Sequence, residues 1–403
     1  MTEMMKVPFF KGTYGEEEVE AVRRVLQSGW LTSGPVVKEL EEAVAEYTKS
    51  GNAVAVNSCT AAMTLALKAK MPRTAWKAVV PAWTFLATAG AVENAGGECV
   101  FVDSDPETLN MDLDALDRAC ANFQPDAIVP VHFNGNPVDM NAVMEIAVRH
   151  KVGFVLEDCA HAFGTAIGVS HHGAEGAMFG PILKHAGTFG HAGAFSFYTT
   201  KNLSCGEGGM LVTDDPRLAE TVRTYARFGQ PRAAIERLDK GQWHKPDQAT
   251  WGTKANLSDV LAAVGVEQLR KFPAMREARI RLAADYDAAL VTANHRLGFD
   301  AFVPVKRSAS ACPHMMPLVL DRRLDRDGVA RFMVDRGVQV QVHYKPVPWH
   351  PWWRERYDAP LDDLPVCKDL MTRVLSVPFW PGMSPDELQY VCGKLEEAAG
   401  GRP

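Results

Sequence analysis

A single lysine, a single aspartate and one turn of small residues stand out as groups that could do chemistry. Lys201 follows an apolar run at residues 194–198, and Gly206, Gly208 and Gly209 precede a second β-like run at 210–213. Desolvating an ammonium is costly and lowers its pKa. A lysine held between two buried strands beside close-approach glycines suits a Schiff base with a carbonyl. On this window alone, a surface lysine in a hairpin loop is the simpler reading. Asp158 ends another apolar run, residues 153–158, so its carboxylate wants a positive partner unless it merely caps the next helix. Ser58, Cys59 and Thr60 join a strand-like run at 53–56 to a helical one. Backbone N–H groups at such a helix start attract anions, and small side chains let a phosphate approach, although Ser58 or Thr60 could be an ordinary N-cap. A phosphate turn, a carboxylate facing a protonated ring nitrogen and a buried amine are together what pyridoxal phosphate chemistry requires.

Those groups need a scaffold, and the chain spells one out. Helical spacing covers residues 16–28, 36–47, 85–94, 113–122 and 140–150, and strand-like runs cover 78–82, 98–103, 127–132 and 153–158. Such βα alternation predicts an α/β fold: a mostly parallel central sheet sandwiched by helices. Sites in such sheets lie beyond the C-terminal strand ends, where Thr60, Phe85, His132, Asp158 and His161 would converge. Helices over 258–272 and 276–290 lead into strands at 315–320 and 338–342, a helix over 325–336 and a closing helix over 385–399. The division expected is a large domain at 1–265, including an N-terminal arm, and a smaller α+β domain at 266–403.

Composition narrows the class. The chain of 403 residues is 47% hydrophobic, enough for a large core, and its net charge of −6 argues against a nucleic-acid binder. Eight cysteines without a CxxC pair suggest neither zinc nor a disulfide framework, so no metal is expected. No signal-peptide core and no apolar run of membrane length is evident, so the expectation is a cytoplasmic protein without a membrane partner.

Along nearly its whole length the chain resembles the DegT/DnrJ/EryC1/StrS aminotransferases. The likeness rests on ordered motifs: Ser28-Gly-Trp-Leu-Thr-Ser-Gly-Pro35, Asn57-Ser-Cys-Thr-Ala-Ala62, Pro81-Ala-Trp-Thr-Phe85 and Glu157-Asp-Cys-Ala-His161. It continues in Ser196-Phe-Tyr-Thr-Thr-Lys-Asn-Leu203, Gly206-Glu-Gly-Gly209, Gly252-Thr-Lys-Ala-Asn256 and Val342-His-Tyr-Lys-Pro346. The resemblance implies a fold-type I pyridoxal-phosphate enzyme. It would move an amino group from L-glutamate, through pyridoxamine phosphate, to a nucleotide-linked keto sugar, with a 4-keto-6-deoxyhexose favoured. By resemblance Lys201 bonds the cofactor, Asp158 holds its ring nitrogen, His161 lies near the ring hydroxyl and Phe85 stacks on the ring. Cys59, Thr60 and Ser196 would hold the phosphate, with Asn256 reaching that of a neighbouring subunit in a homodimer with shared sites. Trp30, His343 and Tyr344 would line the substrate mouth.

The sequence also departs from that pattern. Cys59 stands where glycine is usual, and Ala255 replaces a common aromatic. The interval between Asp158 and Lys201 is long, and the surplus falls in residues 167–190, a glycine-rich stretch expected to form a flap beside the site. The aromatic cluster at 349–353 reads either as packing or as a contact to substrate. Alternatives left open are a family enzyme acting on a non-sugar carbonyl and a non-catalytic regulatory protein on the same fold.

Overall fold

The computed structural model describes residues 5–172, 178–231, 247–357 and 361–400. Seven strands form the central sheet: β1 Asn52–Val56, β2 Trp76–Pro81, β3 Gly97–Val102, β4 Ala127–Ile128, β5 Phe154–Asp158, β8 Ala192–Ser196 and β9 Gly209–Thr213, while β6 Ala166–His172 and β7 Met178–His185 form a separate hairpin. Their order is β1-β9-β8-β5-β4-β2-β3. All neighbours from β8 to β3 are parallel, and only β9 runs against the rest. The sheet is buried on both faces, which explains why its strands read as continuous apolar runs such as Ala78-Val-Val and Phe154-Val-Leu.

Helices cover both faces. Cys59–Lys70 and Leu86–Asn94 pack with Pro216–Tyr225 on one side, whereas Leu113–Phe123 and Met140–Arg149 join a second core cluster. Several helix starts carry their own caps, among them Ser58 accepting from Ala61 N–H and Asp139 accepting from Ala142 N–H. Helices expected at 258–272 and 276–290 are one helix, Asp259–Leu297, continuous through Pro273. The proline forgoes one backbone bond, and burial of Phe272, Met275 and Arg279 on the same helix outweighs that loss.

A second sheet contains β10 Phe302–Pro304, β11 Met316–Leu320 and β12 Val374–Val377, all antiparallel. It shares a core cluster with the C-terminal half of the long helix and with Pro385–Gly400. Val7 belongs to that cluster and bridges to Val338, so the N-terminal segment packs against the second sheet. The strand expected at 338–342 is instead a pair of isolated bridges, Val7 to Val338 and Gln341 to Ser376.

The stretch expected as a flap at 167–190 is largely a hairpin of β6 Ala166–His172 and β7 Met178–His185. Glycine content suggested a loop, but hydrogen bonding along two β-like flanks overrides it. Residues 173–177 lie outside the described residues. Within the aromatic cluster at 349–353, Trp349 and Trp353 are packed, Trp353 meeting Phe101 edge-on at 5.9 Å and stacking on Tyr357 at 5.7 Å, whereas Trp352 is 54% exposed.

Candidate active site

Strand ends build the site. β1, β2, β5 and β8 deliver their C-termini to one edge of the sheet, and antiparallel β9 begins there. A cavity of about 520 Å³ opens at that edge, and Cys59, Thr60, Phe85, Asp158, His161, Ser196, Lys201, His343 and Tyr344 all line it. Nine residues singled out from the sequence thus meet in one place.

Lys201 sits on the turn between β8 and β9, its backbone N–H donating to the Tyr198 carbonyl at 2.9 Å. Burial pushes its amine down to about 8, while Asp158 pulls it the other way. Asp158 is buried, and burial raises its pKa; Thr88 Oγ1 donates to Oδ2 at 2.7 Å and the Ala160 N–H to Oδ1 at 3.0 Å, which opposes the rise. Lys201 nearby also favours its charge, but among the described residues no salt bridge reaches the carboxylate, and a pyridinium N–H would supply a direct cationic partner.

The anion end of the cavity is the start of helix Cys59–Lys70. Its first amides have no intrahelical carbonyl to bond. Gly209 crosses directly beneath, and a Cβ there would overlap the Ser58 carbonyl carbon and the Cys59 nitrogen. Only glycine permits β9 to lie that close. The Cys59 thiol points away from this end, 3.3 Å from the Ala194 carbonyl oxygen, and burial keeps it protonated. The β-carbon at position 59 is therefore absorbed by the core. Phe85 is 56% exposed and offers a ring face to the cavity, tilted 49° against Tyr344. A helix-start cradle, a ring wall, a carboxylate lacking its cation and a depressed amine fit pyridoxal phosphate; Lys201 would hold it covalently, Asp158 its ring nitrogen and the 58–60 turn its phosphate.

The hydrogen bonds of His161 fix where its proton sits. The Asn134 N–H donates to His161 Nδ1 at 3.3 Å, so Nε2 carries the hydrogen and donates to Tyr344 Oη at 3.0 Å. The Tyr344 hydroxyl is then free to donate its own proton elsewhere. Burial keeps His161 neutral and raises the Tyr344 phenol, so this pair works by hydrogen bonding rather than by charge. His343 Nδ1 lies 2.9 Å from Ser376 Oγ, and burial lowers that ring to about 4.

Two residues expected at the cavity, His132 and Trp30, lie elsewhere, and Asn256, expected at a neighbouring subunit's phosphate, lies outside this cavity as well. His132 does not reach the cavity: it is fully buried below it, bonded through Nε2 to Glu157 Oε2 at 2.8 Å. Glu157 also accepts the Gly187, Phe189 and Gly190 N–H groups, and His132 Nδ1 accepts from Val138 N–H at 3.1 Å. With Cys159 these two residues have metal-compatible spacing, but the histidine's only lone pair is already engaged. The cluster instead fixes the hairpin's return into β8. Trp30 and Asn256 sit together outside the cavity. Trp30 Nε1 donates to the Ser33 carbonyl at 3.2 Å, and Asn256 Nδ2 donates to Ser33 Oγ at 2.6 Å. Ala255 beside Asn256 is buried in the main core cluster.

The cavity also has walls that motif reading missed. Phe9, Phe10 and Phe379 close one side. Thr88, one helical turn after Phe85, gave no signal because its partner is seventy positions away. His314 lines the cavity too, from a segment without a motif.

Comparison with known proteins agrees with this geometry. The DegT/DnrJ/EryC1/StrS aminotransferase family pattern matches residues 13–396. The spore coat polysaccharide biosynthesis protein SpsC of Bacillus subtilis is 34% identical, over 98% of this chain and 97% of its own length. The sugar aminotransferase CalS13 from Micromonospora echinospora is 28% identical with a TM-score of 0.80, covering 97% of this chain and 99% of that one. Helicobacter pylori PseC, at 23% identity, shares the fold with a TM-score of 0.86, covering 99% of this chain and all of its own. The chain belongs to the DegT/DnrJ/EryC1/StrS family and is a pyridoxal-phosphate-dependent aminotransferase.

Proposed function

We propose that this aminotransferase moves the amino group of L-glutamate onto a nucleotide-linked keto sugar, with a 4-keto-6-deoxyhexose the favoured acceptor. The observation that carries this reading is Lys201, an amine depressed to about 8 inside a cavity it shares with Asp158 and a helix-start anion cradle. Its likeness to a polysaccharide biosynthesis protein and to a sugar aminotransferase supports the sugar acceptor.

Pyridoxal phosphate, when bound, supplies an electron sink for the pair released when the C–H bond beside the transferred nitrogen breaks. This chain's residues do the rest. Lys201 Nζ, close to neutral at mildly alkaline pH, takes the proton from the donor's α-carbon and returns one during transfer to the acceptor. Asp158 keeps the ring nitrogen protonated, and its bond to Thr88 fixes which oxygen faces the ring. The backbone at Cys59 and Thr60, with Ser196, would orient the phosphate, Phe85 would hold the ring face, and His161 would lie near the ring hydroxyl, its ring oriented by Asn134 and its Nε2 hydrogen given to Tyr344. His343 and Tyr344 contact substrate.

The same reading assigns Asn256 and Trp30 to a neighbouring subunit's cavity, in a homodimer with shared sites. Their joint position outside their own cavity supports this, as does the exposed apolar face formed by Tyr14, Val19 and Leu26. We keep residues 1–265 and 266–403 as the large and small domains, joined by the long helix. A cytoplasmic location is favoured by eight cysteines that are all buried and free; among the described residues no helix is long and apolar enough to cross a membrane.

The test is spectroscopic. L-Glutamate should bleach the visible absorbance of the loaded enzyme, and one of a panel of nucleotide 4-keto and 3-keto sugars should restore it. Bleaching without restoration by any sugar would leave an aminotransferase of another carbonyl.

A further inference from the structure

His314 stands in the cavity without a part in the account above. It precedes β11, and groups from four distant places hold it. Its backbone N–H donates to Asn134 Oδ1 at 3.1 Å, its carbonyl accepts from Arg279 Nη1 at 3.0 Å, and its ring Nδ1 lies 3.2 Å from Asn202 Oδ1. The ring stacks on His161, centroids 4.5 Å apart and planes 28° from parallel. Asn134, His161, Asn202 and Arg279 are each more than nine-tenths buried. Space-filling would not require desolvating a guanidinium and two amides around one imidazole.

The hydrogen bonds also fix the tautomer. Asn202 Nδ2 donates to the His161, Phe163 and Cys312 carbonyls at 3.4, 3.3 and 3.1 Å, so its Oδ1 is an acceptor and His314 Nδ1 must carry the hydrogen. Nε2 is left as a lone pair, without a hydrogen-bond partner among the described residues, on a residue that lines the cavity. Burial, then Lys201, keeps the ring neutral.

Both substrates use this cavity in turn. L-Glutamate offers two carboxylates and one nitrogen donor, and that nitrogen is the group being transferred. A neutral acceptor does nothing for carboxylates. A sugar, by contrast, brings hydroxyl donors. We propose that His314 Nε2 accepts a hydrogen bond from a hydroxyl of the carbonyl substrate, and so selects polyhydroxylated acceptors over simple keto acids. This inference rests on the sugar reading of the function.

The readout is the ratio of kcat/KM for an accepted nucleotide keto sugar to that for 2-oxoglutarate, both followed as restored absorbance after glutamate treatment. His314→Phe keeps an aromatic ring and removes the acceptor; the ratio should fall roughly tenfold or more. His314→Gln, whose amide oxygen can reach the same place, should recover part of it. A substrate lacking the bonded hydroxyl should be penalised by the wild type and not further by His314→Phe. The amino-sugar product should also bind His314→Phe roughly tenfold more weakly in calorimetry, a measurement without turnover. Should that variant not fold, the deoxy series on the wild type and on His314→Gln carries the same comparison. Equal loss toward both acceptors, a deoxy penalty undiminished in the variants, or unchanged product affinity would overturn the proposal. If the wild type accepts no keto sugar, the sugar reading fails and this inference fails with it; an accepted sugar with an unaltered ratio removes His314 alone.

Discussion

In the proposed reaction Lys201 and Asp158 would work only because each is kept from water beside the other. Burial lowers the amine to about 8 and raises the carboxylate, and both shifts disfavour charge in a place that must later hold it. Only a neutral amine can bond a carbonyl carbon. Covalent capture of the cofactor by the empty protein should therefore speed up about tenfold per pH unit below pH 8 and level off above it. Stopped-flow absorbance checks this; a rate still climbing toward the ordinary lysine value of 10.5 would contradict the burial argument. Asp158→Asn keeps the shape and loses the charge, so kcat should fall by roughly 10²–10³. Cofactor absorbance in that variant should still report occupancy, separating chemistry from binding. These two residues were legible in the sequence because each ends an apolar run, where a charge needs a reason. Thr88 and His314 were not legible, since their meaning lies in partners far along the chain, Asp158 and Asn202.

At the scale of elements, the close crossing of β9 under the start of helix Cys59–Lys70 shapes the anion end of the site. Gly209→Ala forces overlap with the Ser58 and Cys59 backbone, which neither element can relieve alone. It should destabilise the protein by about 1–3 kcal/mol and weaken cofactor retention, both readable from melting curves with and without pyridoxal phosphate. Equal melting behaviour to the wild type would mean that the strand can move away. Strand and helix positions in the first half were readable because caps and apolar runs coincide, as at Ser58 and Asp139. The hairpin of β6 and β7 was not, because glycine content masked its pairing. Nor was the run through Pro273, where tertiary burial overrode a local break signal.

For the whole molecule, the sheet edge gathers nine expected residues, while Trp30 and Asn256 face away from them. The resemblance had set Asn256 apart, but nothing in the sequence placed Trp30 with it; the packing of the 30–34 loop against Asn256 does. A symmetric dimer that exchanges them makes a specific prediction. Mixing inactive Lys201→Ala with inactive Asn256→Asp protomers should restore roughly a quarter of wild-type activity, through hybrid dimers carrying one intact site. Mixtures as dead as their parents would place Asn256 outside any working site.

Reduction of the resting enzyme with borohydride, followed by peptide mapping, tests the central claim most directly. The account predicts a pyridoxyl mass on the peptide containing Lys201 and on no other lysine. Label at a different lysine, or a fully loaded enzyme that takes no label at position 201, would contradict it.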